Sequence, residues 1–248
     1  MRHFEMVLAG GMAVTSFSTF LNNLDVYSLI SFLINGVAIL VCLTIHELSH
    51  GATAYYLGDP TAKEAGRLTL NPIKHIDVFG LLMMVVARVG WAKAVPVDMR
   101  NFKRPKRDMA ITALAGPGSN FLVALAALKL LSLTYHGFLL LGAVTERPAV
   151  FYIMLYVMQF LAYLAILSVG LGIFNLIPIP PLDGSKVLFS VLPQNIYYII
   201  LRYERYIMGA VLLLAFSGVL SSPLSQVIGK IIQGMCVLTG CPAWLVLG

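Results

Sequence analysis

Two histidines and a glutamate fall within five residues of a strongly apolar stretch, in the order His46-Glu47-Leu48-Ser49-His50. Four residues apart on a helix, the two imidazoles leave the same face and can grip one metal ion, with Glu47 beside the first of them. A hydrolytic zinc centre obtains two ligands and a general base in this way. Ionisable groups inside a membrane helix cost on the order of 3 kcal/mol each near its centre, so three of them in five residues are hard to explain as packing. The competing reading is a metal-free polar network that ties two helices together.

A catalytic zinc normally takes three protein ligands and keeps one position for water. The extended pattern that would place a third histidine on the same helix is absent, because Thr53 and Tyr56 occupy the positions it needs. Glu64 and His75 are the nearby alternatives, but the favoured third ligand is Asp183, in Asn175-Leu176-Ile177-Pro178-Ile179-Pro180-Pro181-Leu182-Asp183-Gly184. Three prolines cannot continue a helix, so this segment is an irregular break at the end of a span. A carboxylate there can turn inward, with Gly184 allowing a tight backbone path. His75, in a polar Lys-His-Ile-Asp setting, reads as structural. Cys42 lies one turn before His46, but a thiolate ligand would close the site to water, so it reads as a small core residue.

The elements that must carry these residues are membrane helices. Of 248 residues, 59% are hydrophobic and 11% charged, and the mean hydropathy is +0.86. A water-soluble fold of this size cannot hide so much apolar surface. Spans are expected at about 26–57, 109–133, 150–176 and 206–220, with weaker apolar stretches at 6–20 and 225–247. The fold class is therefore an all-α polytopic membrane protein of about five to six transmembrane helices. The chain divides into an N-terminal extension at 1–25, a catalytic membrane core at 26–192 and a C-terminal transmembrane region at 193–248.

Between the first two of these spans, 59–108 changes character. Arg67 to Pro72 and Trp91 to Val97 are short, turn-bounded and β-prone, and 78–89 is apolar but too short to cross. The expectation is a re-entrant or interfacial segment flanked by small β-hairpins. The region also carries Lys63, Arg67, Lys74, Arg88, Lys93, Arg100, Lys103, Arg104, Lys106 and Arg107, which places it on the cytoplasmic side. The net charge of +6 is thus topological, and the basic run lacks the interleaved aromatics of a nucleic-acid surface. Cys42, Cys236 and Cys241 are too few and too scattered for a disulfide framework or a four-thiolate site.

Taken together, His46 to His50, Gly66-Arg67-Leu68-Thr69-Leu70-Asn71-Pro72-Ile73-Lys74-His75-Ile76-Asp77, Ala115-Gly116-Pro117-Gly118-Ser119-Asn120 and Phe174-Asn175 through Leu182-Asp183-Gly184 resemble the site-2 protease family of intramembrane zinc metalloproteases, in its compact bacterial form without PDZ or CBS domains. The resemblance implies one zinc per chain held by His46, His50 and Asp183, Glu47 as catalytic base, and Asn120 as a residue that binds substrate or the developing oxyanion. It implies a transmembrane protein as substrate, the lipid bilayer as surroundings and a bacterial plasma-membrane location with the site toward the cytoplasm. The β-prone segment 91–97 would hold an unwound substrate as an added strand. Rival readings are a proton- or metal-handling transporter and a proteolytically inactive scaffold of the same fold. Oligomeric state, substrate and pathway are not legible from the residues.

Overall fold

A computed structural model describes residues 26–78, 80, 92–142, 148–217, 219 and 221–247. The expected features at 1–25 and most of the short apolar segment at 78–89 lie outside the described residues. The principal helices are α1 Val26–Tyr56, α2 Thr61–Glu64, α3 Pro105–Gly142, α4 Pro148–Leu176, α5 Asp183–Val191, α6 Gln194–Phe216, α7 Ser221–Thr239 and α8 Trp244–Leu247, with 3-10 turns at Pro72–His75 and Met99–Asn101. Among the described residues, three stretches are long and apolar enough to cross a membrane: Ser28–Tyr56, Pro105–Leu140 and Ala149–Leu176. Those three correspond to the first three expected spans. Helices α6 and α7 overlap the later apolar stretches but are not among these three.

The described residues form two compact units whose boundaries fall inside helices. The first takes 26–42, 122–142, 148–169 and 227–247. Its core alternates Ala38, Ala124, Ala127, Ala162 and Ala165 with Leu128, Leu131, Leu155, Met158 and Ile232. Small residues on membrane helices let backbones approach closely, and the larger side chains fill the space between. The end of α7 is tied down here. Gly240 takes a positive φ of 71°, Ser132 Oγ donates to its carbonyl at 2.8 Å, and Lys129 Nζ donates to the Thr239 carbonyl at 3.3 Å. Cys236 and Cys241, whose pairing the sequence leaves open, are free thiols. Cys42 also belongs to this core, in contact with Ser168 Oγ at 3.5 Å.

The second unit takes 43–78, 80, 92–121, 170–217, 219 and 221–226. The expected hairpins are not seen in its described residues. Among the described residues there is no strand, only an isolated antiparallel bridge between Ile76 and Ala92. The physical reason is visible in the extended segment Lys93–Asp98, whose backbone groups are taken largely by side chains. Arg67 Nη2 donates to the Lys93 carbonyl, Val95 N–H donates to Glu47 Oε2 at 2.9 Å, and Asp98 N–H donates to Asp59 Oδ2 at 2.8 Å. Groups spent on side chains cannot form a ladder.

Candidate metal centre

All the pieces of the site lie in the second unit. Helix α1 sends His46 and His50 from one face, as their spacing requires, and the rings meet edge to face with centroids 4.6 Å apart. Helix α4 stops at Leu176, the Pro178-Pro180-Pro181 run carries the chain across the break, and α5 begins at Asp183. The first turn of α5 packs directly on the end of α4. A Cβ on Gly184 would overlap the Leu176 carbonyl oxygen and lie 2.6 Å from that of Ile177, so only glycine permits this approach.

The result is a buried trio. Asp183 Oδ2 lies 3.2 Å from His46 Nε2 and 3.0 Å from His50 Nε2, and the two Nε2 atoms lie 3.1 Å apart. Donor atoms held about 2.0–2.1 Å from a tetrahedral zinc ion are about 3.3 Å from one another, so the three atoms fit a single ion with little movement. Among the described residues, His46, His50 and Asp183 form the group of histidine, cysteine and carboxylate side chains able to hold a metal ion. Glu64, His75 and Cys42 are not in it. His75 is buried with Nε2 2.9 Å from the Thr69 carbonyl oxygen, a structural placement.

Helix α3 completes the centre from one face, since Thr112, Gly116 and Asn120 recur every four residues. The Thr112 carbonyl oxygen lies 2.7 Å from His50 Nδ1, so that nitrogen carries the proton and Nε2 keeps its lone pair for a metal. Asn120, fully buried, has its side-chain amide 3.1 Å from His46 Nδ1. A His46 that ligates through Nε2 must be protonated at Nδ1, which calls for the amide oxygen at that contact; the two ends of an amide are interchangeable in shape. Gly116 sits against both rings, where a Cβ would come within 2.5 Å of His50 Cε1 and 2.7 Å of His46 Cε1.

Glu47 stands outside the trio. Its Oε2 accepts the Val95 N–H, and the residue is buried to 9% exposure beside the two histidines. On the other side of the site, Lys186 Nζ lies 2.9 Å from Asp183 Oδ1, so one carboxylate oxygen faces the ammonium and the other faces the histidines. The sequence offers Asn120 as a substrate or oxyanion residue, whereas here its amide lies against His46 Nδ1; Gly116 and Lys186 are not among its candidates, since a glycine in a long apolar helix looks like a packing residue and Lys186 like a topogenic charge. The repeat of four from Thr112 to Asn120 was the signal available.

A metal site built on two histidines, a carboxylate and an unliganded glutamate is one that zinc peptidases use, and comparison with known proteins agrees. The model of peptidase family M50 matches residues 34–217. The chain belongs to peptidase family M50. It is 38% identical over 180 residues to YwhC of Bacillus subtilis, a protein provisionally named a zinc metalloprotease, covering 72% of this chain and 77% of that one. It is also 31% identical over 153 residues to Rip2 of Mycolicibacterium smegmatis and 31% identical over 156 residues to Rip2 of Mycobacterium tuberculosis, both with the same kind of name. Those two matches cover 60% of this chain and 53% of the relative, so the chain spans about half of each Rip2 protein. No solved structure matches the chain. As an M50 member, the chain has its family match spanning the whole site, from before His46 to beyond Asp183.

Proposed function

We propose that this M50 chain is an intramembrane zinc endopeptidase that cuts peptide bonds in or near transmembrane segments of other membrane proteins. The observation that carries the reading is the enclosed His46, His50 and Asp183 trio with Glu47 held beside it on the Val95 N–H. Bound zinc supplies Lewis acidity to a water and a peptide carbonyl together. Glu47 accepts the proton from the water and delivers it to the leaving amine. The Thr112 carbonyl and Asn120 hold the two imidazoles in the tautomers and orientations that ligation needs. An enclosed Asn120 bonded to His46 favours this positioning role over direct contact with substrate or oxyanion.

The trio is borne on helices α1 and α5 and flanked by α3, and α1 and α3 are both long and apolar enough to cross a bilayer, which supports cleavage at membrane depth. The lysines and arginines of 59–108 support a cytoplasmic position for the loop that carries Val95. If α6 and α7 cross as well, the chain has about five to six spans in a bacterial plasma membrane, a count supported by the apolar stretches at 206–220 and 225–247. An unwound substrate segment would lie along Lys93–Val97, where Ala94 and Pro96 are exposed.

The test is zinc stoichiometry and cleavage of a single-span reporter protein by wild type and Glu47→Gln in liposomes. One zinc per chain in both, with cleavage lost only in the variant, is expected. A variant that still cleaves excludes Glu47 as the base, and a transporter would move ions irrespective of reporter cleavage.

A further inference from the structure

We propose that Asp59 is a remote positioning residue for Glu47, acting through the strap Lys93–Asp98; the assignment rests on the reading of Glu47 as the base. Asp59 follows the end of α1 and is wholly buried, yet its carboxylate meets no lysine, arginine or histidine within ion-pair distance among the described residues. It is satisfied by neutral donors alone. Oδ1 accepts from Thr61 N–H at 3.1 Å, from the Thr61 hydroxyl and from Asn101 Nδ2 at 2.7 Å. Oδ2 accepts from a single donor, the Asp98 N–H at 2.8 Å. The two oxygens therefore do separate things: one closes the turn after α1, and the other fastens the far end of the strap.

The near end is fastened independently. Lys93 N–H donates to the His75 carbonyl at 2.9 Å, and the Lys93 carbonyl accepts from the buried Arg67. Between these anchors the strap makes one bond to the catalytic helix, Val95 N–H to Glu47 Oε2. Its side chain presses on α1 where the helix has no side chain of its own: a Cβ on Gly51 would lie 3.0 Å from Val95 Cγ1 and 2.8 Å from Leu68 Cδ2. Val95 is followed by Pro96, which has no N–H, so Val95 is the donor the middle of the strap can offer to Glu47. A segment without a β-ladder keeps its place through its anchors, and an amide that orients a carboxylate is only as well placed as they are.

Asp59→Asn separates the two oxygens. An asparagine whose carbonyl takes the place of Oδ1 keeps Thr61 and Asn101, and its NH2 then faces the Asp98 N–H, donor against donor. The expected result is one zinc per chain as in wild type, an unchanged KM, a fall in kcat on the order of 10- to 100-fold for the single-span reporter, and faster hydrogen exchange at the Val95 amide. The exchange measurement needs no substrate. Val95 exchange equal to wild type, or unchanged kcat, overturns the proposal. If Asp59→Asn does not fold, Asp98→Pro removes the N–H that Oδ2 holds together with the Asp98 side chain and draws φ from −108° toward about −65°, and Asp98→Ala is its control for the side chain. Cleavage lost in the proline variant and kept in the alanine variant supports the link; equal cleavage by the two overturns it. Glu47→Gln run in parallel distinguishes the cases, because cleavage by that variant would overturn the protease mechanism itself, whatever Asp59 does.

Discussion

The Thr112 carbonyl oxygen lies 2.7 Å from His50 Nδ1, a bond between main chain and side chain that fixes which nitrogen of the ring can meet a metal. Because the acceptor is backbone, no substitution at Thr112 deletes it, and the vulnerable points of the centre lie one and two turns further along α3, at Gly116 and Asn120, and in the strap.

Gly116→Ala should empty the centre. Its methyl group would collide with both imidazoles, and a long apolar helix has little freedom to withdraw. Zinc measured on purified protein should fall to below about a tenth of an equivalent, with the helical circular dichroism of wild type retained. Wild-type zinc content would show that α3 yields.

Asn120→Leu should weaken zinc binding by about 10- to 100-fold, the usual cost of losing the partner that orients a ligating histidine. Competition with a chromophoric chelator reads this directly. Asn120→Asp, which keeps an acceptor for His46 Nδ1–H, should lose much less. Normal affinity in the leucine variant together with lost cleavage would instead return Asn120 to a role at the substrate.

Val95→Pro should abolish cleavage with zinc retained, since proline has no N–H to hold Glu47. Val95→Ala keeps that donor and should retain most of the activity. Equal activity of the two variants would mean that Glu47 needs no help from the strap.

Asp59 also sets an acid limit. Burial pushes its carboxyl up, but the hydrogen bonds from Thr61, Asn101 and the Asp98 and Thr61 amides outweigh this and hold it below the ordinary value of 3.8. A group whose folded value is depressed stabilises fully above its unfolded value, and that stability is lost as pH falls through the folded value. The melting temperature of wild type should therefore exceed that of Asp59→Asn near pH 7, and the gap should narrow below about pH 4. A gap that stays constant down to pH 3 would count against the hydrogen-bonded carboxylate.

What could be read from the sequence follows the range of each interaction. His46, Glu47 and His50 were legible because four residues of helix bring the histidines together without any tertiary information. Asp183 was legible because prolines announce a broken helix, and a two-histidine site lacks a ligand. The strap is β-prone, yet among the described residues it forms no ladder for a specific reason: the Val95 and Asp98 amides donate to the carboxylates of Glu47 and Asp59. Gly116 was hidden by its setting, and Asn120, named through the family resemblance, was given a different partner, since what they touch depends on how α3 crosses α1. Lys186 was hidden because its partner Asp183 became meaningful only as a ligand.

The separation of His46 from Asp183 along the chain, 137 residues, has a consequence during synthesis. At about 5–20 residues per second, roughly 7 to 27 seconds pass between the emergence of the two donors from a ribosome. Throughout that interval α1 can enter the bilayer with its histidines and Glu47 in place, but the centre has only two of its three protein donors. Until Asp183 emerges the trio that fits a metal ion is incomplete, so the order of the chain itself sets when the centre can assemble.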